Sequence, residues 1–413
     1  MRKQVAIVGS GIAGLSLAHE LSCFGIGSTI IERFPLPGGN AARFACKATD
    51  SCQRCGACIV QDYVSKVFAC EDICLTCGSE VMDSLRTDSG FRLQILERPA
   101  FIDPNLCSKC GICKKVCPSP NAILVDPFTG SFFINYPECL ISSDMPCVAC
   151  EQACPEQAIN LALTPERKEL DVDAVAIATG FEPFDATAKS RFGYGRVPGV
   201  ISSLDLEDRL RRGAFDHLDE ENRPKSIAFI QCVGSRDVKI GRNYCSRVCC
   251  GYALRSARLM KFKFPEMKIC MFYMDIQTFD RDFENRIAAA RREVNLVRAI
   301  PSEIRQGLNG KPEVLYNGAE DEAIVEEFDL VVLSIGMGAQ TLVPGGLLES
   351  LSTTQESYAS GGEAFGDIQP AGAFLVGSVS EPKSIQESIE DSIIVASQIQ
   401  TYLGDSQRGG NVD

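Results

Sequence analysis

Apolar residues come in short blocks along this chain, and their spacing changes from region to region. RKQVAIV at 2–8 ends in the apolar run Val5–Val8 just before a glycine, the form of a buried strand, and from Ile12 to Phe24 apolar positions recur at helical spacing. STIIE at 28–32 reads as the next strand, so the chain opens as a βαβ unit. Periodicity weakens between Cys46 and Cys77 and between Phe101 and Ile159. A strand-like run returns at 172–180 (VDAVAIATG), and a second α/β unit starts at 226–233 (SIAFIQCV) and continues through strands near 269–273 and 329–335. AFLVG at 373–377, followed by an amphipathic helix over 383–402, has the form of a segment returning to the first unit; the tail after Gly404 reads as disordered.

The turn between the first strand and helix is Gly9-Ser10-Gly11-Ile12-Ala13-Gly14, a G-x-G-x-x-G loop. Gly9 permits the tight turn, Gly11 lets backbone approach a pyrophosphate, and Gly14 lets helix and strand touch, with the helix N-terminus facing the phosphates. Glu32 ends the second strand where an acid binds ribose hydroxyls, and Arg33 follows it. Alone the loop is a weak sign; with strand, helix and acid in place it predicts a dinucleotide. The second unit is different, because its first strand runs into Gln231-Cys232-Val233-Gly234-Ser235, without three glycines, which argues against direct NAD(P)H binding.

Cysteine changes the picture most. The chain has 21 cysteines in 413 residues, only two histidines, and no apolar leader before Gly9. Thiols grouped in C-x2-C runs without an export signal point to metal ligation in a reducing, cytoplasmic setting rather than to disulfides. Cys107, Cys110, Cys113 and Cys117 before Pro118 form C-x2-C-x2-C-x3-C-P, the bacterial ferredoxin run whose fourth cysteine serves the other cluster. Cys139, Cys147, Cys150 and Cys154 before Pro155 repeat it with five extra residues. One cubane is therefore assigned Cys107, Cys110, Cys113 and Cys154, and the other Cys139, Cys147, Cys150 and Cys117. Paired structural zinc sites would call for longer spacers and no C-P endings.

Cys232, Cys245, Cys249 and Cys250, spaced C-x12-C-x3-C-C, are read as a further cluster. The stretch 46–77 holds Cys46, Cys52, Cys55, Cys58, Cys70, Cys74 and Cys77. Its C-x2-C-x2-C part at 52–58 predicts one cubane, with a fourth ligand or a second site among Cys70, Cys74 and Cys77; structural zinc is the alternative there. Cys23 and Cys270 sit within apolar patterns and read as core. A formal charge of −13 and no basic run leave nothing to attract a nucleic-acid backbone. No stretch reaches the length of a membrane span.

Gly38-Gly39-Asn40 after the second strand, Ala178-Thr179-Gly180, and the segment GAFLVGS ending in Gly377-Ser378 resemble two-dinucleotide-domain flavoproteins of the thioredoxin-reductase type, and so favour FAD. More closely, VAIVGSGIAG, GGN, the ferredoxin insert, IATGFEPFD at 177–185, FIQCVGSRD with YCSRVCC, and GAFLVGSVSEPKSIQES at 372–388 resemble the flavin-carrying A subunit of heterodisulfide reductase. The resemblance implies an FAD that splits electron pairs between a low-potential ferredoxin and a higher-potential acceptor. It implies that Cys232, Cys245, Cys249 and Cys250 hold their cluster beside the flavin, and that Lys383 lies near the isoalloxazine, where a cation stabilises a reduced, anionic ring. The chain lacks the further ferredoxin modules of longer members and in that respect looks like the related subunit of class II benzoyl-CoA reductase complexes.

The implied organisation is an α/β two-dinucleotide-domain flavoprotein with an inserted α+β ferredoxin domain. FAD-binding parts fall at 1–45, 161–200 and 341–413 (with the tail), a Cys-rich cluster segment at 46–100, the ferredoxin domain at 101–160, and the second α/β domain at 201–340. The expected cofactors are FAD and about four [4Fe-4S] clusters, five if 46–77 holds two. The expected partners are other subunits of an electron-transfer complex, fed by ferredoxin-like, hydrogenase or NADH-linked donors, with a homodimer within the larger assembly. The competing reading is a self-sufficient NAD(P)H oxidoreductase similar to the small subunit of glutamate synthase; a scaffold with purely structural metals is the third.

Overall fold

The computed structural model describes residues 2–126, 129–143, 145–277, 283–338 and 372–408. The expected C-terminal flavin segment is therefore seen only from 372, with 341–371 and the tail beyond 408 outside the described residues. The opening unit is β1 (Gln4–Val8), α1 (Ile12–Cys23) and β2 (Gly27–Glu32), with Val5 opposite Ser28 in a parallel pairing. The Cys-rich stretch then does what its weak periodicity hid: it forms α2 (Ala57–Ala69) and β3 (Ile73–Cys77), and β3 adds to β2 in parallel with Cys77 opposite Glu32. Helix α2 packs Val60, Tyr63 and Val67 inward, one stripe at helical spacing.

Strands β4 (Ser79–Thr87) and β5 (Gly90–Glu97) come next, followed by the insert: α3 (Ile112–Val116), β6 (Ile123–Val125), β7 (Phe132–Ile134) and α4 (Ala149–Gln152). The chain resumes with β8 (Glu166–Val172), antiparallel to β5, and β9 (Ala174–Ile177), parallel to β1. Within the expected 46–100 segment, β3 thus joins the first sheet and β4 and β5 pair with β8 in a sheet of their own. After β10 (Glu182–Pro183) the second α/β unit runs β11 (Val200–Ser202), α5 (Ser203–Arg211), β12 (Ser226–Val233), α6 (Cys249–Lys263), β13 (Lys268–Phe272), α7 (Phe283–Glu293) and β14 (Asn295–Val297). An antiparallel sheet of β15 (Glu303–Gln306), β16 (Pro312–Asn317) and β17 (Ala323–Glu327) leads to β18 (Leu330–Ile335) and β19 (Met337–Gly338), which pairs with β10. The described chain ends with β20 (Ala373–Leu375) and the long helix α8 (Ile385–Arg408).

The first sheet is ordered β20-β9-β1-β2-β3 and the second β11-β18-β12-β13-β14. The all-apolar β9 and the mostly apolar β12 are covered on both faces, as parallel strands must be. α1, α2 and α8 cover one face of the first sheet through Leu15, Leu17, Val60 and Ile399, and β4, β5 and β8 cover the other through Val81, Leu93 and Val172. The insert has a small core of its own, in which Phe101, Ile123 and Ile134 pack with Cys113, Cys139 and Cys150. Among the described residues no helix is long and apolar enough to cross a membrane.

The two α/β units are joined by charge. Lys47, 2% exposed, meets the fully buried Glu207 carboxylate of α5 at 2.5 Å, and Glu207 also accepts the Ala45 N–H at 2.7 Å. Arg43 bridges to Asp208 at 2.9 Å, and Arg255 and Arg258 of α6 donate to Gln53. A buried pair adds little over an apolar replacement, but removing one partner strands the other charge, at a cost of roughly 3–5 kcal/mol. Glu207→Leu should therefore lower stability in denaturant unfolding by about that amount, and Lys47→Met/Glu207→Leu together should recover most of it.

Candidate flavin and cluster site

A cleft of about 2650 Å³ opens at the carboxyl ends of β1, β2, β3 and β9, where open α/β sheets place ligands. It exceeds the several hundred Å³ typical of a single small-molecule pocket. The glycine loop behaves as its spacing requires. Gly9 has φ +107, and a Cβ there would stand 2.5 Å from the Ala178 carbonyl oxygen; a Cβ on Gly14 would stand 2.0 Å from the Gly9 oxygen. Gly11 is different, with φ −64 and ψ 177 and nothing within 4 Å of an added Cβ. Its lack of a side chain keeps cleft space clear above the α1 N-terminus, where no side chain caps the free N–H groups.

Three more segments close on this loop. The Gly38 N–H donates to the Ser10 carbonyl at 2.9 Å, and a Cβ on Gly39 would come 3.0 Å from Gly11 Cα. Asn40 donates to the Phe181 carbonyl at 3.1 Å, tying the 38–40 turn to Thr179 and Gly180. Gly377, φ +76, fits against Ala13 where a Cβ would be 2.5 Å from the alanine methyl; Ser378 lines the cleft beside it. Thr179 Oγ1 is buried with no hydrogen-bond partner among the described residues, as expected of a group awaiting a ligand. The residues present fit a bound dinucleotide.

Two site residues are more committed than the sequence implies. Glu32 is 5% exposed; one oxygen accepts the Ser10 N–H at 2.8 Å and the Ser10 hydroxyl at 2.6 Å, and the other accepts the Phe34 N–H at 2.8 Å. Of roughly four acceptor positions on a carboxylate, two hold Ser10 of the loop and one holds the Phe34 N–H, leaving about one for a ribose. Arg33 lines the cleft next to it. Lys383 also lines the cleft, but its Nζ sits 3.1 Å from Asp391 Oδ2 and 2.9 Å from Ser380 Oγ; the same Asp391 oxygen accepts the Gly377 N–H at 2.6 Å. Asp391 is not legible in the sequence as a site residue, because it lies two turns into what reads as an ordinary amphipathic helix.

The cysteines sort by electrostatics. Burial pushes the Cys113 thiol up first, with Cys107, Cys110 and Cys154 adding to it. Burial pushes Cys150 up to about 11, with Cys139, Cys117 and Cys147 adding, and raises Cys139 with help from Cys117 and Cys147. The thiols around Cys113 and those around Cys139 and Cys150 thus raise one another within two groups. At the second unit, burial takes Cys232 up to about 12, helped by Cys250 and Cys245, and raises Cys249 further, with all three others contributing. Cys249 and Cys250 open α6, and Cys249 lines the cleft. Thiols raised this far are poor free nucleophiles; a positively charged metal centre would stabilise their thiolates at neutral pH.

Backbone strain gathers at the same places. Among the described residues, five of the seven non-glycine residues with positive φ are Cys232 itself or lie two or three residues after a cysteine: Arg54, Lys109, Gln157 and Arg247. The Arg54 and Arg247 N–H groups donate to Cys52 Sγ and Cys245 Sγ at 3.4 and 3.3 Å, and the Ala158 N–H to Cys154 Sγ at 3.4 Å. Among the described residues no group of three or more His, Cys, Asp or Glu is arranged to hold a single metal ion.

Cys52, Cys55 and Cys58 all line the cleft. Of the other three thiols expected to contribute a fourth ligand or a second site, Cys77 shares this cleft, whereas Cys70 and Cys74 do not line it. Cys58 opens α2 and Cys70 caps its far end, 12 residues and about 18 Å away along the axis. Cys74 and Cys77, three apart on β3, point to opposite faces of the sheet. Cys77 does line the cleft, but burial, with Glu32 next to it, takes its thiol up to about 12, and no other cysteine contributes. Arg247 and Glu387, an ion pair joining the Cys245–Cys249 loop to the start of α8, give no sign in the sequence because they lie 140 residues apart.

Residues 7–69 match the model of the NAD(P)-binding Rossmann-like domain, and 100–119 match the 4Fe-4S binding domain. The fold is that of solved thioredoxin reductases: the Lactococcus lactis enzyme superposes with a TM-score of 0.55 at 14% identity, covering 98% of this chain and 100% of that one, and the T. acidophilum enzyme with 0.51. Fold and site define an oxidoreductase-type flavoprotein with two dinucleotide-type domains and an inserted ferredoxin unit. Within that class, the chain is an iron–sulfur flavoprotein similar to the A subunit of heterodisulfide reductase. It is 33% identical to the iron–sulfur A subunit of the CoB–CoM heterodisulfide reductase of Methanocaldococcus jannaschii over 81% of its length, and 30% identical to a Methanopyrus kandleri counterpart over 96%. It is 29% identical to the A subunit of the H2:CoB–CoM heterodisulfide,ferredoxin reductase of Methanothermobacter thermautotrophicus over 93%. It spans only 54–64% of the length of these three relatives.

Proposed function

We propose that this chain is the flavin-carrying electron-transfer subunit of a larger oxidoreductase complex, relaying single electrons between iron–sulfur centres and an FAD seated in the cleft, and that it takes part in electron bifurcation. The observation that carries this reading is a single cleft lined at once by the glycine cradle, Lys383, Cys249 of the second unit, and residues of the insert such as Lys114 and Glu138, which neighbour Cys113 and Cys139. Bound FAD would supply conversion between two-electron and one-electron transfer. Gly9, Gly11 and Gly14, with Gly38, Gly39, Asn40, Thr179, Gly180, Gly377 and Ser378, hold and orient it. Cys107, Cys110, Cys113 and Cys154 hold one [4Fe-4S] cluster, Cys117, Cys139, Cys147 and Cys150 a second, and Cys232, Cys245, Cys249 and Cys250 a third.

With the second unit's dinucleotide loop replaced by cysteines, reducing equivalents enter through a partner. Anaerobically prepared protein should leave NADPH unoxidised on its own, and its flavin should bleach when a reduced ferredoxin-type donor is added. Rapid NADPH oxidation by the isolated chain would remove this reading in favour of the self-sufficient one.

Lys383 places its charge at the cleft while Asp391 and Ser380 fix its position. Lys383→Ala should lower the flavin's midpoint potential by on the order of 50 mV, about tenfold in a one-electron equilibrium. Lys383→Arg should restore most of the shift, as read by anaerobic redox titration.

A further inference from the structure

The run at 52–58 repeats the backbone of the run at 107–113, not only its cysteine spacing. In Cys107-Ser108-Lys109-Cys110-Gly111-Ile112-Cys113, Lys109 has φ +59, Gly111 caps the following helix with φ +72 and ψ 8, and the helix begins at Ile112 so that Cys113 is its second residue. In Cys52-Gln53-Arg54-Cys55-Gly56-Ala57-Cys58, Arg54 has φ +51, Gly56 caps the following helix with φ +78 and ψ −4, and the helix begins at Ala57 so that Cys58 is its second residue. Left-handed non-glycine residues are uncommon. C-x2-C spacing does not impose them either: in the Cys147–Cys150 run the equivalent residue, Ala149, is already helical. The 107–113 loop lies inside the segment that matches the 4Fe-4S binding domain. Two sequences 55 residues apart have taken up the same fold for three thiols, and the second of them opens onto the cleft.

No further thiol of the 46–77 stretch belongs to the repeated loop, although Cys77 and Cys249 also line the cleft. Cys70 and Cys74 are carried away by α2 and β3, and Cys77 stands beside Glu32. Cys46, six residues upstream, lies between Ala45 and Lys47, both buried and both lining the cleft, whereas Cys46 is exposed and does not line it. On the other side, a Cβ on Gly56 would meet Ile385 at 3.1 Å, which fixes the loop against the start of α8 next to Lys383.

We propose that Cys52, Cys55 and Cys58 bind a [4Fe-4S] cluster in the flavin cleft by three thiolates, leaving its fourth iron facing the cleft with a non-cysteine position open to an exogenous oxygen or thiolate ligand. This rests on the cleft being the flavin site and adds a coordination position to it. The open corner makes the fourth iron removable: ferricyanide takes one electron from the [4Fe-4S]2+ cluster and becomes ferrocyanide, one Fe2+ leaves, and a [3Fe-4S]+ cluster remains. Ferrous iron with one electron from dithionite reverses the change.

The test uses the full chain, reconstituted anaerobically with iron and sulfide. The expected result is the near-isotropic EPR signal of an oxidised three-iron cluster after ferricyanide, lost when ferrous iron and dithionite are added. That signal should be unchanged in Cys46→Ala, Cys70→Ala and Cys77→Ala and absent in Cys52→Ala/Cys55→Ala/Cys58→Ala. Loss of the cluster in Cys46→Ala would overturn the open corner by making Cys46 the fourth ligand. An iron content equal in wild type and the triple variant would overturn the site itself. In either outcome the ferredoxin-type EPR signals and the flavin spectrum report separately whether the proposed function stands.

Discussion

Alanine at position 11 should strip the flavin from a chain that still folds, whereas alanine at position 14 should damage both. Gly11 has φ −64 and ψ 177, a conformation open to any residue, and an added methyl meets nothing within 4 Å, so the cost to the apoprotein is near zero. The same methyl occupies the space above the uncapped N–H groups of α1, where a pyrophosphate would come into contact. We expect the flavin content after anaerobic preparation to fall at least tenfold, about 1.4 kcal/mol or more in affinity, with an unchanged denaturation midpoint. Gly14→Ala instead forces a Cβ to 2.0 Å from the Gly9 oxygen, which can be relieved only by moving α1 off β1. Its stability should fall by several kcal/mol, together with flavin content. A Gly11→Ala protein that retains FAD at wild-type occupancy would show that the cofactor sits elsewhere.

The largest effect on metal content should come from pairs of cysteines, read for non-additivity. If Cys154 completes the cluster of Cys107, Cys110 and Cys113, then Cys107→Ala and Cys154→Ala each remove the same centre, and the double variant loses no more than either alone, about four irons. Cys107→Ala/Cys139→Ala removes both centres and about eight irons. Iron and sulfide analysis with EPR of the dithionite-reduced protein checks this; additive loss in the Cys107/Cys154 pair would dissolve the crossed assignment. The second combination should also unfold the insert locally, since Cys113, Cys139 and Cys150 are part of its small core and cluster binding is folding energy for such a unit. Proteolysis between about 101 and 160 should then be fast while the two α/β units resist it.

Much of this is readable in order along the chain. The G-x-G-x-x-G loop, the ferredoxin runs and the strands at 226–233 and 330–335 are local patterns, in which spacing dictates geometry within a few residues. Helix α2 and strand β3 escape such a reading because cysteines occupy positions in both: ICLTC is a strand whose apolar pattern is broken by residues that also announce metal. The same ambiguity attaches Cys70 and Cys74 to a site from which the secondary structure separates them.

By itself, the sequence determined that there is a dinucleotide cradle, which cysteines are spaced for cubanes, and that the second unit lacks a nucleotide loop, since each depends on residues close together in the chain. Only the tertiary structure decided what stands next to what. It set Glu32 to holding its own loop, Asp391 beside Lys383, Arg247 on Glu387, and Cys52, Cys55 and Cys58 in the same cleft as Gly11 and Cys249. Those pairings join residues that are mostly tens to hundreds of positions apart, and packing, not spacing, selects them.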